Sequence, residues 1–241
     1  MQYALGHSHT REAIHARLES GPRSNYLRDW IYGGIDGAVT TFAIVAGVAG
    51  ADLAAAVLLV LGFASVLADG LAMAASNCIG TKAERDGYNR VLGIERKHIA
   101  LVPDGEREEN RQIFAAKGFS GEDLERIVAV ITSDRALWAK TMAVEEYGLS
   151  PTQRSPVPAA LSTFAAFIVC GLVPLVAYLS AGGLLSCVLA AGVTFFGVGA
   201  IKSRWSPAAW WQSGLETLLI GLSAAAVAFG VGYGIKTLVG A

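Results

Sequence analysis

Long apolar runs, broken by short polar stretches, dominate the pattern of this chain. Gly33 to Ile79 contains only Asp36, Asp52 and Asp69 as charged residues, and Val157 to Ala200 contains none. Each run exceeds the roughly 20 apolar residues that cross a bilayer as a helix. The pattern predicts a first span over Trp30 to Ala51 and a tight turn at Gly50-Ala51-Asp52. The second span runs from Leu53 to Gly80 and continues as a helix through Leu101. A third covers Ala159 to Leu179, with Pro174 as a kink. After a turn at Ser180 to Gly183, a fourth covers Leu184 to Ile201. Lys202 to Trp211 reads as a polar loop whose Trp205, Trp210 and Trp211 suit a membrane interface. The fifth covers Leu215 to Gly234. Ahead of the spans, Thr10 to Ser20 has the period of a short amphipathic helix, with Ile14 and Leu18 on one face, and Gly21-Pro22 breaks the chain after it.

A polar insert separates the second and third spans. Pro103 and Asp104 make a corner after the long second helix, because proline cannot continue a helix and aspartate is a good N-cap. Gly118 can end the helix begun at Asp104. Ser120-x-x-Asp123 resembles a capping box for a further helix over Gly121 to Tyr147, stopped by Gly148 and Pro151. The expected architecture is an all-α membrane protein, with five transmembrane helices and a three-helix insert between the second and third. The corresponding segments are 1–29, an N-terminal segment; 30–81, the first two spans; 82–156, the insert; and 157–241, the last three spans.

Composition agrees: 53% of the 241 residues are hydrophobic and 16% charged, where a soluble domain carries about 25% charged residues. Mean hydropathy is +0.46. A net charge of −1 says little about partners, and no nucleic-acid partner is expected. Met1 to Leu27 is polar and has no signal-peptide pattern. Arg11, Arg17, Arg23 and Arg28 precede the first span, Lys202 and Arg204 follow the fourth, and the opposite turns lack Lys and Arg. The positive-inside rule places the N-terminus and the insert in the cytoplasm and the C-terminus beyond the membrane, with Lys236 the one dissenting charge. The membrane is an inner (cytoplasmic) or an organelle membrane. Cys78, Cys170 and Cys187 lie in apolar segments without CxxC spacing and read as small buried hydrophobes. His7, His9 and His15 read as a polar tail rather than a metal site.

The chemistry concentrates in Glu95 to Glu109. Glu95 and His98 stand three apart on one helix, and Glu106 and Glu109 three apart on the next, so each pair shares a face. Folded back on each other, the two helices could point three carboxylates and an imidazole at one place. The alternative is a solvated surface, on which glutamates gain from basic residues three or four positions away. Glu108 has Arg111 and Glu122 has Arg126, but Glu95, Glu106, Glu109 and Glu146 have no such partner. A bound cation would turn the repulsion of Glu106 and Glu109 into attraction. Met142 shares a face with Glu146. Carboxylate with imidazole suits Fe(II) or Mn(II), with Co, Ni and Zn possible. The insert has no Cys for a structural zinc site and no EF-hand pattern.

Two further carboxylates lie within spans, Asp36 in GGIDGAVTTF and Asp69 in LADGLAM. An Asp near mid-bilayer costs about 2.5–3.5 kcal/mol on insertion scales, which points to a cavity, a cation or a proton to carry. Glycines 33, 34 and 37 permit close approach of a helix or an ion. Met73 lies one turn beyond Asp69.

Together these stretches resemble the vacuolar iron transporter family. The likeness rests on IDGAVTTFAIVAG, ADGLAMAASNCIGTKAE, the Glu95-x-x-His98 and Pro103-x-x-Glu106-x-x-Glu109 spacings, WAKTMAVEEYGL from Trp138, and SGLETLLIG in the fifth span. It implies five spans, a cytoplasmic three-helix metal-binding domain, a homodimer with first spans facing each other, and exchange of Fe(II), often Mn(II), for protons. By the resemblance Asp36 and Met73 lie on the translocation path, and Glu95, Glu106, Glu109, Glu146 and Met142 bind metal. His98 stands where the family often has glutamate, Ala143 where better-known members have a second methionine, and Ser65 where they have a glutamate. Asp69, one turn beyond Ser65, is the candidate replacement in proton coupling alongside Asp36. The expected function is thus proton-coupled export of divalent iron or manganese from the cytoplasm, for detoxification or storage. The metal is cargo and no organic cofactor is expected. Two other readings are a membrane-anchored ferritin-like di-iron oxidase, for which a single Glu-x-x-His is short of the usual ligand set, and a metal sensor without transport.

Overall fold

The computed structural model describes residues 8–21, 24–181 and 183–239. His7, Pro22 and Arg23, named above, lie outside them, as does Gly182 in the turn after the third span. Among the described residues there are nine α-helices and no strand. They are α1 (Arg11–Glu19), α2 (Leu27–Gly50), α3 (Ala55–Leu101), α4 (Pro103–Ala116), α5 (Gly121–Ser133), α6 (Arg135–Glu145), α7 (Pro156–Ala181), α8 (Leu184–Lys202) and α9 (Trp210–Val239). Five of them, α2, α3, α7, α8 and α9, are long and apolar enough to cross a membrane. The chain divides into two compact units, one of residues 25–80 and 156–241 and one of residues 1–24 and 81–155.

The apolar unit is organised around α2, which packs against α7, α8 and α9. Small residues let these backbones approach, as packing between helices in lipid requires. A Cβ on Gly37 would stand 2.4 Å from the Phe167 carbonyl oxygen, and one on Gly33 would stand 2.2 Å from that of Thr163. Gly33 and Gly37, read above as permitting close approach of a helix or an ion, thus meet the backbone of α7 in the same chain. Phe42 and Phe195 fill the centre with ring centroids 6.1 Å apart. Cys170 and Cys187 are buried free thiols, as read from the sequence, and Cys78 is half-buried. Pro174 sits within the continuous helix α7. Large apolar side chains such as Val60, Leu67, Leu71, Val193 and Leu219 face outward, a surface suited to lipid and costly in water.

One polar cluster lies inside this unit. Asp29 is buried, and Asn77 donates its amide to the Asp29 carboxylate at 3.0 Å and to the Thr163 hydroxyl at 2.7 Å. It ties α2, α3 and α7 together where burial would otherwise penalise each group. Elsewhere Lys236 pairs with Asp52 at 3.0 Å, so the charge that dissented from the topology rule has a local carboxylate partner.

The polar unit holds α1, the end of α3, and α4 to α6. Tyr88, Leu92, Ile99, Phe114, Ile131, Trp138 and Met142 form its core. Thr10 caps α1 through its side chain, accepting from Ala13 N–H at 3.4 Å, while Leu18 remains exposed. The expected single helix over Gly121 to Tyr147 is two helices. Asp134 adopts extended backbone and its carboxylate accepts from Ala136 and Leu137 N–H, so it ends α5 and caps α6. Ser120 precedes α5 without a side-chain cap bond, unlike the expected capping box. Trp210 and Trp211 open α9 rather than lying in the preceding loop; with Trp205 they are at least half exposed.

Candidate metal centre

The turn between α3 and α4 sets the site. Val102, not Asp104, is the N-cap residue, and Pro103 takes the first helical position, where its missing N–H costs nothing. Asp104 and Glu106 then fall in the first turn of α4, where negative charge suits the helix dipole. One face of α4 buries Glu106, Asn110 and Phe114, four residues apart each time. A face that apolar periodicity would reserve for packing therefore holds a carboxylate and an amide.

Glu95 is fully buried and Glu106 is 3% exposed. His98 Nδ1 lies 3.2 Å from Glu106 Oε1 and 3.8 Å from Glu95 Oε1. One donor atom from each of Glu95, His98 and Glu106 fits within 4.8 Å, close enough to share an ion. The second oxygens, Oε2 of both glutamates, are buried and have no hydrogen-bond partner. Buried polar atoms are nearly always paired, and here a proton shared between the Glu106 and Glu95 carboxyls, or a cation in its place, would pair these oxygens. Burial, with the negative charges of Glu95 and Glu109, pushes the Glu106 carboxyl up to about 7, and only His98 opposes this. Glu146 is raised by the same causes, burial first and then Glu95 and Glu109.

The remaining predicted residues take different places. Glu109 and Glu146 are exposed and act on the cluster through charge. Met142 is fully buried and its sulfur accepts from Asn110 Nδ2 at 3.6 Å. Glu108, excluded because Arg111 stands nearby, does pair with Arg111, which also holds Glu125 at 2.8 Å. Sequence reasoning missed two neighbours. Tyr147 donates its hydroxyl to Glu95 Oε1 at 3.2 Å. Asn110 is fully buried with its Oδ1 unpartnered. A period-four signal from Glu106 to Phe114 would have found Asn110; Tyr147 lies beyond the end of α6 and has no such signal.

In the apolar unit Asp36 is exposed on α2 and Asp69 is exposed on α3. The two carboxylates lie within electrostatic reach of each other. Asp69 accepts a hydrogen bond from Ser65, so the position read as lacking a carboxylate contacts its candidate replacement. Met73 is half-buried on α3.

Five apolar helices and a cluster of two buried carboxylates with a half-exposed imidazole define a multi-pass membrane protein with a candidate divalent-metal centre. The sequence model of the VIT family matches residues 27–233, and the chain belongs to that family. It is 31% identical to a vacuolar iron transporter of Toxoplasma gondii, over 94% of this chain and 80% of the relative. It is 32% identical to vacuolar iron transporter 2 of Oryza sativa subsp. japonica, over 88% of each, and 29% identical to vacuolar iron transporter 1 of Arabidopsis thaliana, over 84% and 83%.

Proposed function

We propose that this chain exports divalent iron or manganese from the cytoplasm in exchange for protons. The Glu95–His98–Glu106 cluster, in which both glutamates are buried and each has one carboxylate oxygen without a hydrogen-bond partner, is the observation that carries the reading. The relatives named as vacuolar iron transporters support metal transport as the class of function. Residues 82–156 capture the metal on the cytoplasmic side, with Glu109, Glu146 and Met142 completing the ligand set. Co(II), Ni(II) and Zn(II) fit the same donors less selectively. The ion then passes Asp36 and Met73. Asp36 and Asp69 take up protons arriving from the far side, and protonation releases a cation that the ionised carboxylate holds. The transporter works as a homodimer with its N-terminus, residues 1–29, in the cytoplasm; residues 30–81 and 157–241 lie in the bilayer.

The test is uptake of Fe(II), Mn(II), Co(II), Ni(II) and Zn(II) into liposomes bearing the purified protein. The proposal expects Fe(II) or Mn(II) uptake that falls sharply in Glu95→Gln/Glu106→Gln. Metal binding without any flux would favour a sensor. Oxygen-dependent Fe(II) oxidation without flux would favour an oxidase.

A further inference from the structure

A second site stands apart from the metal chemistry, in the apolar unit at the end where α2 begins and α8 finishes. A cleft of about 480 Å³ opens there between Arg28 and Tyr32 of α2, Lys202 at the end of α8, and Trp205 and Ser206 just beyond it. That volume lies within the roughly 300–1,000 Å³ of small-ligand pockets. Leu27 and Ile31 form its apolar wall.

Its chemistry is one-sided. Arg28 lies over the Tyr32 ring, 5.6 Å from the centroid, and among the described residues no carboxylate pairs with it. Lys202 gives one hydrogen bond to Glu216 at 2.9 Å, which leaves two of the three ammonium protons for another acceptor. Trp205 and Tyr32 are 58% and 54% exposed. They sit where the apolar helices give way to polar chain, the depth at which aromatic rings meet lipid headgroups. Basic pockets between membrane helices at this depth suit anionic headgroups.

We propose that this cleft binds an anionic phospholipid, its phosphodiester held by Arg28 and Lys202. Trp205 and Tyr32 flank the glycerol region, and Leu27 and Ile31 contact the start of an acyl chain. A free phosphate would use the two cations and nothing of the apolar wall or the exposed rings. The lipid uses all of them.

The test compares spin-labelled phosphatidylglycerol with spin-labelled phosphatidylcholine around the full-length protein in phosphatidylcholine vesicles. The wild type should prefer phosphatidylglycerol. Arg28→Gln should lower that preference roughly fivefold, the effect of about one surface cation on an anionic lipid, and Arg28→Gln/Lys202→Gln should abolish it. Arg28→Lys should retain most of it, and Arg85→Gln, at an exposed arginine of the other unit, should leave it unchanged. Unaltered phosphatidylcholine association shows that each variant is folded. No preference in the wild type, or a preference that survives the double substitution, overturns the proposal. So does loss of the preference to inorganic phosphate but not to chloride at equal ionic strength, which would assign the cleft to the free anion.

Discussion

Glu106 is under opposing demands: burial favours its protonated form, and metal binding needs its ionised form. It is buried beside a second buried carboxylate. Its carboxyl, raised from 4.5 to about 7, is favoured in its protonated form by the metal-free fold. That contribution to stability is complete below the ordinary carboxylate range and is lost as pH rises through about 7. Thermal melting with chelator should therefore give a lower midpoint at pH 8 than at pH 5 from this group, and Mn(II) should reverse the order. Metal affinity should rise up to tenfold per pH unit below about 7, because binding then releases a proton, and level off above it. Calorimetry across pH checks this. Glu106→Ala with Glu109→Ala should weaken binding by roughly tenfold or more, as expected for loss of groups in and around a metal site. Glu108→Ala, already paired with Arg111, should not. Tyr147→Phe removes the hydroxyl that orients Glu95 and should cost roughly tenfold in affinity, without moving the melting point of the metal-free protein by more than a degree or so. The pairing of Glu95 with His98 and the turn that returns Glu106 to them were legible in helical spacing and Pro103, whereas the lack of basic neighbours also selected Glu109 and Glu146, which are exposed. Asn110 and Tyr147 were not legible, since an amide or phenol reads the same at the surface and in a core until tertiary packing places it.

At the scale of elements, the apolar runs specified their helices well. Spacing and proline placed α3, its continuation through Leu101, and α4 within a residue or two. The break at Asp134 escaped because apolar periodicity continues across it on both sides, and the local signal, an aspartate able to cap the next helix, is common within helices. Asp134→Ala should cost about 1 kcal/mol by loss of the cap, read as a lower denaturation midpoint of the polar unit. Glycines divide by surroundings that sequence does not display. Gly37 faces the Phe167 backbone, whereas Gly93 has open space around it. Gly37→Ala should destabilise by roughly 1–3 kcal/mol through overpacking. Gly93→Ala, within a helix, should stabilise by up to about 1 kcal/mol. Melting of the two variants in detergent separates them. The reverse order would mean that α2 and α7 are not held at backbone contact.

For the whole molecule, membership of the VIT family and a cluster suited to divalent metal converge on transport, and the proposed proton coupling is the part that depends most on this chain's own residues. Asp69 accepts from Ser65 and lies within electrostatic reach of Asp36, the arrangement on which the proposed exchange of metal for protons rests. Asp36→Asn should abolish flux. Asp69→Asn should leave metal binding to the insert intact and flatten the pH dependence of transport; wild-type flux with wild-type pH dependence would make Asp69 structural only. The most direct measurement is uphill transport. Purified protein is placed in liposomes with an acidic interior, an internal pH dye and equal Mn(II) on both sides. The account predicts that Mn(II) accumulates inside while the interior becomes more alkaline, and that both signals vanish in Asp36→Asn. Mn(II) that merely stays equal across the membrane, with no change in internal pH beyond that of empty liposomes, would contradict proton-coupled export.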